Sequence, residues 1–258
     1  MTKKLIMFDI DGTLLDHEKK LPSSAKEAIG HLKEAGHEVA ISTGRAPYLF
    51  EGLRKELEID SYVSFNGQYV VIHNEVIYTN PIKKEYLAHL SAYAASHHHP
   101  LVYMGADRMK ASIAYHAEIE EAIATLHSPH PEEDAAYFQH ADVFQALLFC
   151  KDHEESIYRD HIRDVNFIRW HPYSMDVLPL GGSKAKGIEK FLEKKGFAKE
   201  DVFAFGDNFN DIEMLQYVGN GIAMGNAPEE VKKYAKYVTK DVDEDGIAYG
   251  LEMVGLLK

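Results

Sequence analysis

The chain has one cysteine, Cys150, in 258 residues, so no internal disulfide can form, and a reducing compartment is the simpler assumption. No apolar stretch approaches membrane-spanning length. Lys3 and Lys4 ahead of Leu5–Phe8 imitate the start of a signal peptide, but Asp9 cuts the apolar run too short for one. Positive charge is scarce. A formal net charge of -13 argues against a nucleic-acid backbone as the main partner, because that partner needs basic patches. A small anionic substrate is not excluded, since local charge in a pocket can oppose the global sign. There is no internal repeat and no low-complexity segment beyond His97–His99. These absences lead to the expectation of a soluble, cytoplasmic protein that binds neither nucleic acid nor membrane.

What is present is ordinary globular composition, 45% hydrophobic and 27% charged, in a chain long enough for one large domain or two smaller ones. The first eighty residues alternate strand and helix patterns. LIMF (Leu5–Phe8) is a continuous apolar run, as in a strand covered on both faces. In PSSAKEAIGHLKEAG, Ser24 and Glu27 have capping-box spacing, and Ala25, Ala28, Ile29, Leu32 and Ala35 share a helical face that Gly36 ends. His37–Ser42 and Ser61–Phe65 read as further strands, with a helix from about Pro47 between them. After Asn66-Gly67, QYVVIHNEVIY reads as a hairpin turning near His73-Asn74-Glu75.

From about Ile82 to Leu180 histidines become dense, and strand patterns at Val143–Cys150, Val165–Trp170 and Tyr173–Leu178 alternate with helix patterns. The last two lie close together, which predicts an antiparallel sheet with helices on one face. Beyond Gly181 the βα rhythm returns, with Asp201–Gly206 as a buried strand and a helix from Asp211. The expected fold class is therefore α/β. It comprises a Rossmann-like three-layer core with a mainly parallel sheet (1–81 and 181–258), interrupted by an inserted α+β cap domain (82–180).

Ligands of open α/β sheets bind at the carboxyl ends of the parallel strands. Asp9 and Asp11 follow the first strand, Thr43, Gly44 and Arg45 the second, and Asp207, Asn208, Asn210 and Asp211 the strand DVFAF. Carboxylates gathered in one cleft repel each other, and a hard divalent cation such as Mg²⁺ would relieve that repulsion. With a hydroxyl from Thr43, backbone freedom at Gly12 and Gly44 and a mobile charge on Lys184, the set suits phosphoryl transfer.

DIDGTLLD, STGR, GGSKAKG and GDNFND, in this order, resemble the four motifs of the haloacid dehalogenase (HAD) superfamily. Their spacing, with an insert between the second and third motifs, is similar to that of the Cof-type sugar-phosphatase branch with a large α/β cap. The resemblance spans essentially the whole chain. It implies that Asp9 is the nucleophile, forming an aspartyl-phosphate, and that Asp11 is the general acid and base, a task that needs a raised pKa. It also implies a Mg²⁺ held by Asp9, the backbone carbonyl of Asp11 and Asp207, with Asp211 supporting the metal's water shell. Thr43, the Gly44 amide, Lys184 and Asn210 would bind the transferring phosphate. GGSKAKG offers both Lys184 and Lys186, and Lys184 is favoured because it follows Ser183.

Arg45 either touches substrate or pairs with a nearby acid. Asn66-Gly67 after the third strand either faces the site or just makes the turn, and the turn is slightly favoured. His97–His99 reads as a solvated helix end and Cys150 as core, while Tyr103, Trp170, His171 and Tyr173 read as packing or cap-surface residues. The expected activity is a Mg²⁺-dependent phosphatase acting on a small phosphorylated metabolite, a sugar phosphate or similar ester. The alternatives are a phosphomutase or phosphotransferase using the same intermediate, and a non-catalytic module that binds a phospho-ligand.

Overall fold

In a computed structural model, which describes residues 2–257, the chain forms two compact units. The first takes the chain up to Arg45, Gly52–Thr79 and everything from Ser183 onward. The second takes Ala46–Glu51 and Asn80–Gly182, so it includes a short segment that the sequence reading left in the first part of the core.

The first unit is built on an eight-stranded sheet of order β13-β12-β11-β1-β2-β3-β4-β5. Here β1 is Leu5–Phe8, β2 Glu38–Ser42, β3 Tyr62–Ser64, β4 Tyr69–Ile72 and β5 Glu75–Thr79. On the other side of β1 lie β11 (Val202–Gly206), β12 (Asn220–Ala223) and β13 (Tyr237–Val238). All neighbours from β13 to β3 are parallel, and β4 and β5 close the edge as an antiparallel hairpin. The hairpin turns at His73 and Asn74, both with positive φ, where the sequence predicts it.

The alternation along β1 explains the three layers. Leu5 and Met7 pack with Ile188, Phe191 and Leu192 of the helix Lys184–Lys195 on one face. Phe8 stacks on Phe205 at 5.1 Å on the other, where the helix Gly246–Met253 comes so close that Gly250 has no room for a Cβ beside Phe205. The helix Ser23–Glu34 buries Ala25, Ala28, Ile29 and Leu32, as its periodicity predicts. Its start differs from the expectation: Pro22 is the N-cap and no side chain caps it. Because the helix already includes Ser23, Ser24 sits inside the first turn, where its hydroxyl cannot reach back as a cap.

The second unit contains a five-stranded sheet of order β7-β6-β8-β10-β9, antiparallel throughout. Its strands are β6 (Leu101–Met104), β7 (Met109–Ala111), β8 (Gln145–Phe149), β9 (Val165–His171) and β10 (Ser174–Pro179). One face packs Ala146, Leu148, Met175 and Val177 against Leu87, Leu90 and Tyr158 of the helices Lys84–Ser96 and Glu155–His161. Cys150 belongs to this core, and burial pushes its thiol up to about 11. His97 is the C-cap of Lys84–Ser96, so the histidine triplet begins at a helix end, as read from the sequence. Among the described residues no helix is long and apolar enough to cross a membrane.

Candidate active site

Parallel register brings the site to one edge. Phe8 of β1 lies between Ile41 of β2 and Phe205 of β11, so the residues that follow each strand emerge together. Strand β1 is also where the chain order reverses across the sheet, the position at which α/β sheets open a crevice.

Lys184, the first residue of its helix, is fully buried and donates to Asp9 Oδ1 at 2.5 Å and to Asp211 Oδ1 at 2.6 Å. The other oxygen of Asp211 accepts the backbone N–H groups of Asp207 (2.9 Å) and Asn208 (3.0 Å). Both Asp211 oxygens are thus used in holding the loop after β11 and the Lys184 ammonium. Asp207 accepts from the Thr13 hydroxyl at 2.9 Å. Gly12 has φ +79, and a Cβ there would stand 2.4 Å from Asp207 Oδ2, so glycine is needed both for the left-handed backbone and for the carboxylate's approach.

Burial pushes the Asp9 carboxyl well above the ordinary range. Lys184 opposes the shift, while Asp211, Asp207 and Asp11 add to it. Asp207 is pushed up to about 6, by burial first and then by Asp211, against the Thr13 hydrogen bond and the Lys184 charge. Burial draws the Lys184 ammonium down, but Asp211 and Asp9 more than offset this and hold it above its ordinary value.

The Asp11 carboxyl does not show the raised pKa that the general-acid expectation calls for. Burial raises its carboxyl, but Arg45 and Lys19 outweigh burial and hold it below the ordinary range. Arg45 donates Nε–H to Oδ2 at 2.8 Å and Nη2–H to Oδ1 at 2.6 Å, and Lys19 reaches Oδ1 at 2.5 Å. Of the two readings left open for Arg45, the structure places it on an acid.

Thr43, Gly44 and Asn210, which the resemblance implies as phosphate ligands, meet around Asn66. Thr43 is buried at the end of β2, and its hydroxyl accepts the Arg45 N–H at 3.1 Å. A Cβ on Gly44 would touch the Asn66 amide at 2.9 Å, and Asn210 donates to Asn66 Oδ1 at 3.1 Å. Asn66 therefore joins the site residues as well as making the turn, so both readings left open for it hold. Phe65, Asn66 and Gly67 all have positive φ, an unusual run that the Asn66 N–H to Thr43 carbonyl bond (3.0 Å) helps to hold. A Cβ on Gly67 would lie 2.0 Å from the Ser183 carbonyl oxygen, and one on Gly187 would lie 2.8 Å from Gly67 Cα. The turn is thus pressed against the first turn of the Lys184 helix. Lys186 lies outside this arrangement, exposed and paired with Glu189 at 2.5 Å.

Thr13 and Lys19 are the contributors that sequence reasoning did not assign, and Asn66 is one it left open. Thr13 and Asn66 carried a local signal, since each adjoins a glycine at a strand end, but Lys19 carried none.

The donor set fits a hard cation. Asp9, Asp207 and Asp211 each offer a carboxylate oxygen within 4.8 Å of the others, and burial first, then the crowding of negative charge, pushes Asp9 and Asp207 up.

A family model described as haloacid dehalogenase-like hydrolase matches residues 6–251. The chain is 47% identical over 258 residues, covering 100% of both sequences, to a Bacillus subtilis (strain 168) protein with the provisional name phosphatase YkrA. It is 31% identical over 270 residues to pyridoxal phosphate phosphatase YbhA of Escherichia coli (strain K12), covering 96% of this chain and 97% of that one. The solved structure of the HAD subclass IIB sugar phosphatase BT4131 superposes with a TM-score of 0.87 at 31% identity, covering 99% of this chain and 100% of that one.

Proposed function

Because the chain belongs to the haloacid dehalogenase-like hydrolases, as a phosphatase of their Cof-type branch, we propose that it hydrolyses small phosphorylated metabolites through an aspartyl-phosphate on Asp9. The observation that carries this reading is the buried Lys184 held between Asp9 and Asp211, with Asp207 beside them at the switch point of the sheet.

Lys184 occupies Oδ1 of Asp9, which leaves Oδ2 for attack on phosphorus. The Asp9 O–P bond forms as the ester P–O bond breaks, and Asp11 gives its proton to the departing oxygen. For that step Asp11 must first leave the grip of Lys19 and Arg45 and take up a proton from solvent, which the second half of the cycle then restores. Water then attacks the phosphorus, Asp11 takes a proton from it, and the Asp9 carboxylate departs. In this second half the paired, ionised Asp11 is already in the form a base requires. The Thr43 hydroxyl, the Gly44 amide, Asn210 and the Lys184 ammonium orient the phosphoryl oxygens. Asp9, Asp207 and the Asp11 backbone carbonyl would hold a Mg²⁺, which when bound would neutralise charge on the phosphate and on the crowded acids. Asp211, with both oxygens engaged, would position Asp207 and Lys184.

YbhA and BT4131 are named for pyridoxal phosphate and for sugar phosphates, and a small monoester of that size is the proposed substrate. A cytoplasmic setting suits the lone, buried Cys150 thiol.

The test is a panel of small phosphate esters assayed for phosphate release. Chelation should abolish release and Mg²⁺ should restore it, with Ca²⁺ a poor replacement because its longer, looser coordination misplaces the phosphoryl group. Full activity in excess chelator would remove the metal from this reading. Efficient dephosphorylation of an intact phosphoprotein would remove the small-metabolite class.

A further inference from the structure

Asp11 is held by more cations than its two oxygens require. Arg45 alone reaches both, Oδ2 with Nε–H at 2.8 Å and Oδ1 with Nη2–H at 2.6 Å. A two-point grip of this kind is the strong geometry for a carboxylate. Lys19 adds a third bond at 2.5 Å, to the same Oδ1 that Arg45 already serves. The Arg45 side chain is 13% exposed, whereas those of Lys19 and Asp11 are 40% and 38% exposed. An ion pair so open to solvent adds little stability. If Lys19 moved away, each Asp11 oxygen would keep a partner.

The turn that carries Lys19 is nevertheless built to keep it there. Asp16 Oδ1 accepts the N–H groups of Glu18 (2.9 Å) and Lys20 (2.8 Å). The Asp16 N–H donates to the Lys20 carbonyl at 2.9 Å, and the Lys19 N–H to the Asp16 carbonyl at 3.0 Å. Together these bonds hold Lys19 at φ 61, a left-handed conformation that glycine and asparagine adopt more readily. A lysine there brings strain that its redundant bond to Asp11 does not explain.

Lys184, Arg45 and Lys19 differ in what they can release. Lys184 is fully buried and shared by Asp9 and Asp211, so moving it strands two acids. Arg45 is the partner of Asp11 on both oxygens. The Lys19 ammonium has no partner but Asp11 among the described residues, and it sits on a flexible four-carbon stem. Its remaining N–H groups are donors without an acceptor in the chain. A phosphate ester enters this acid-rich site as an anion, and a movable ammonium with donors to spare is its complement.

We propose that Lys19 is a phosphate-binding residue kept in reserve on Asp11. When an ester enters, the ammonium passes from Asp11 Oδ1 to a non-bridging phosphoryl oxygen, and Asp11 remains paired with Arg45 at that stage. The transfer exchanges one charge-assisted hydrogen bond for another and leaves no acid without a partner. This inference rests on the phosphatase reading above.

The full-length protein is compared with Lys19→Asn, which suits the left-handed position and removes the charge, and with Lys19→Arg, which restores it. KM and kcat are read on the panel of small phosphate esters, affinity for inorganic phosphate by calorimetry with Mg²⁺ present, and Tm by thermal unfolding. Lys19→Asn should raise KM for every ester, and weaken inorganic phosphate, by about tenfold or more, as expected for one lost hydrogen bond between charged groups. Lys19→Arg should recover most of both losses. Tm of Lys19→Asn should hold or rise, because asparagine relieves the backbone and Asp11 keeps Arg45. KM and phosphate affinity within about twofold of the unaltered protein's would overturn the assignment. A loss confined to kcat would also overturn it, since Lys19 would then act only through Asp11. So would a clear drop in Tm, which would make the residue structural, or no recovery in Lys19→Arg. Release from no ester by the unaltered protein would instead bring down the phosphatase reading. The phosphate titration would then decide on Lys19 alone, and an affinity unchanged in Lys19→Asn would still overturn its assignment.

Discussion

The two sheets treat polar groups in opposite ways. In the first unit the acids stand at strand ends and are paired in depth: Lys184 between Asp9 and Asp211, Thr13 on Asp207, Arg45 and Lys19 on Asp11. In the second, Gln145 and Ser174 stand on a sheet face with buried atoms that no described residue satisfies. A closed network fixes geometry and suits chemistry that is the same for every ester. Open valences in a folded interior cost stability. The contrast separates a network of acids closed by partners within the chain from a sheet face whose polar atoms the described residues leave open.

The comparison can be broken at its strongest point first. Asp9→Asn keeps the shape but removes the carboxylate that we propose attacks phosphorus, and phosphate release should fall by at least about three orders of magnitude. Near-normal turnover would show that the closed network is structural only. Lys184→Met is next. Removing one partner of a buried ion network strands the others, typically at about 3–5 kcal/mol, so denaturant unfolding should show a loss of that order. A neutral outcome would mean that Asp9 and Asp211 can relax apart, and the network would not be the rigid element described here.

The smallest effect is in pH. The folded-state pKa of Asp207, about 6, lies above its unfolded value, as does that of Asp9. Between the two values the folded protein binds more protons than the unfolded chain, so stability rises as pH falls from neutrality toward 4. Asp11, held low by Arg45 and Lys19, acts with the opposite sign, but only below its unfolded value. In chelator, denaturation midpoints should therefore climb between pH 7.5 and 4.5, and Mg²⁺ should flatten the climb by favouring the ionised carboxylates. A midpoint that falls steadily over that range would contradict the electrostatics described for the cluster.

Much of this was legible in the sequence, for reasons that are local. The apolar run Leu5–Phe8 ending in Asp9, the run ending in Asp207 and the glycines beside them mark strand ends, and strand ends in a parallel sheet share an edge. What stayed hidden depends on distance along the chain. Thr13 and Asp207 are 194 residues apart, and neither announces the other. The clamp on Asp11 depends on where the turn after β1 delivers Lys19, and no periodicity encodes that. The Ser24–Glu27 spacing misled because Pro22, pre-set in φ, starts the helix without a side-chain cap. Gln145 and Ser174 were invisible because a polar residue in an alternating strand reads as the solvent face until the register shows it buried.

The pressing of Gly67 against Ser183 and Gly187 has a consequence for tolerance to change. Neither glycine reaches a reacting atom, yet together they act as the seat on which the Lys184 helix rests. A methyl group at position 67 would need a φ of +96 and would occupy the Ser183 carbonyl oxygen's space, so the helix would have to lift and carry Lys184 with it. At position 187 the same addition would run into Val63 and Gly67 itself. A saturation scan scored by growth or turnover would place these two positions among the least replaceable in the chain, and a reader of that scan would mistake them for catalysts.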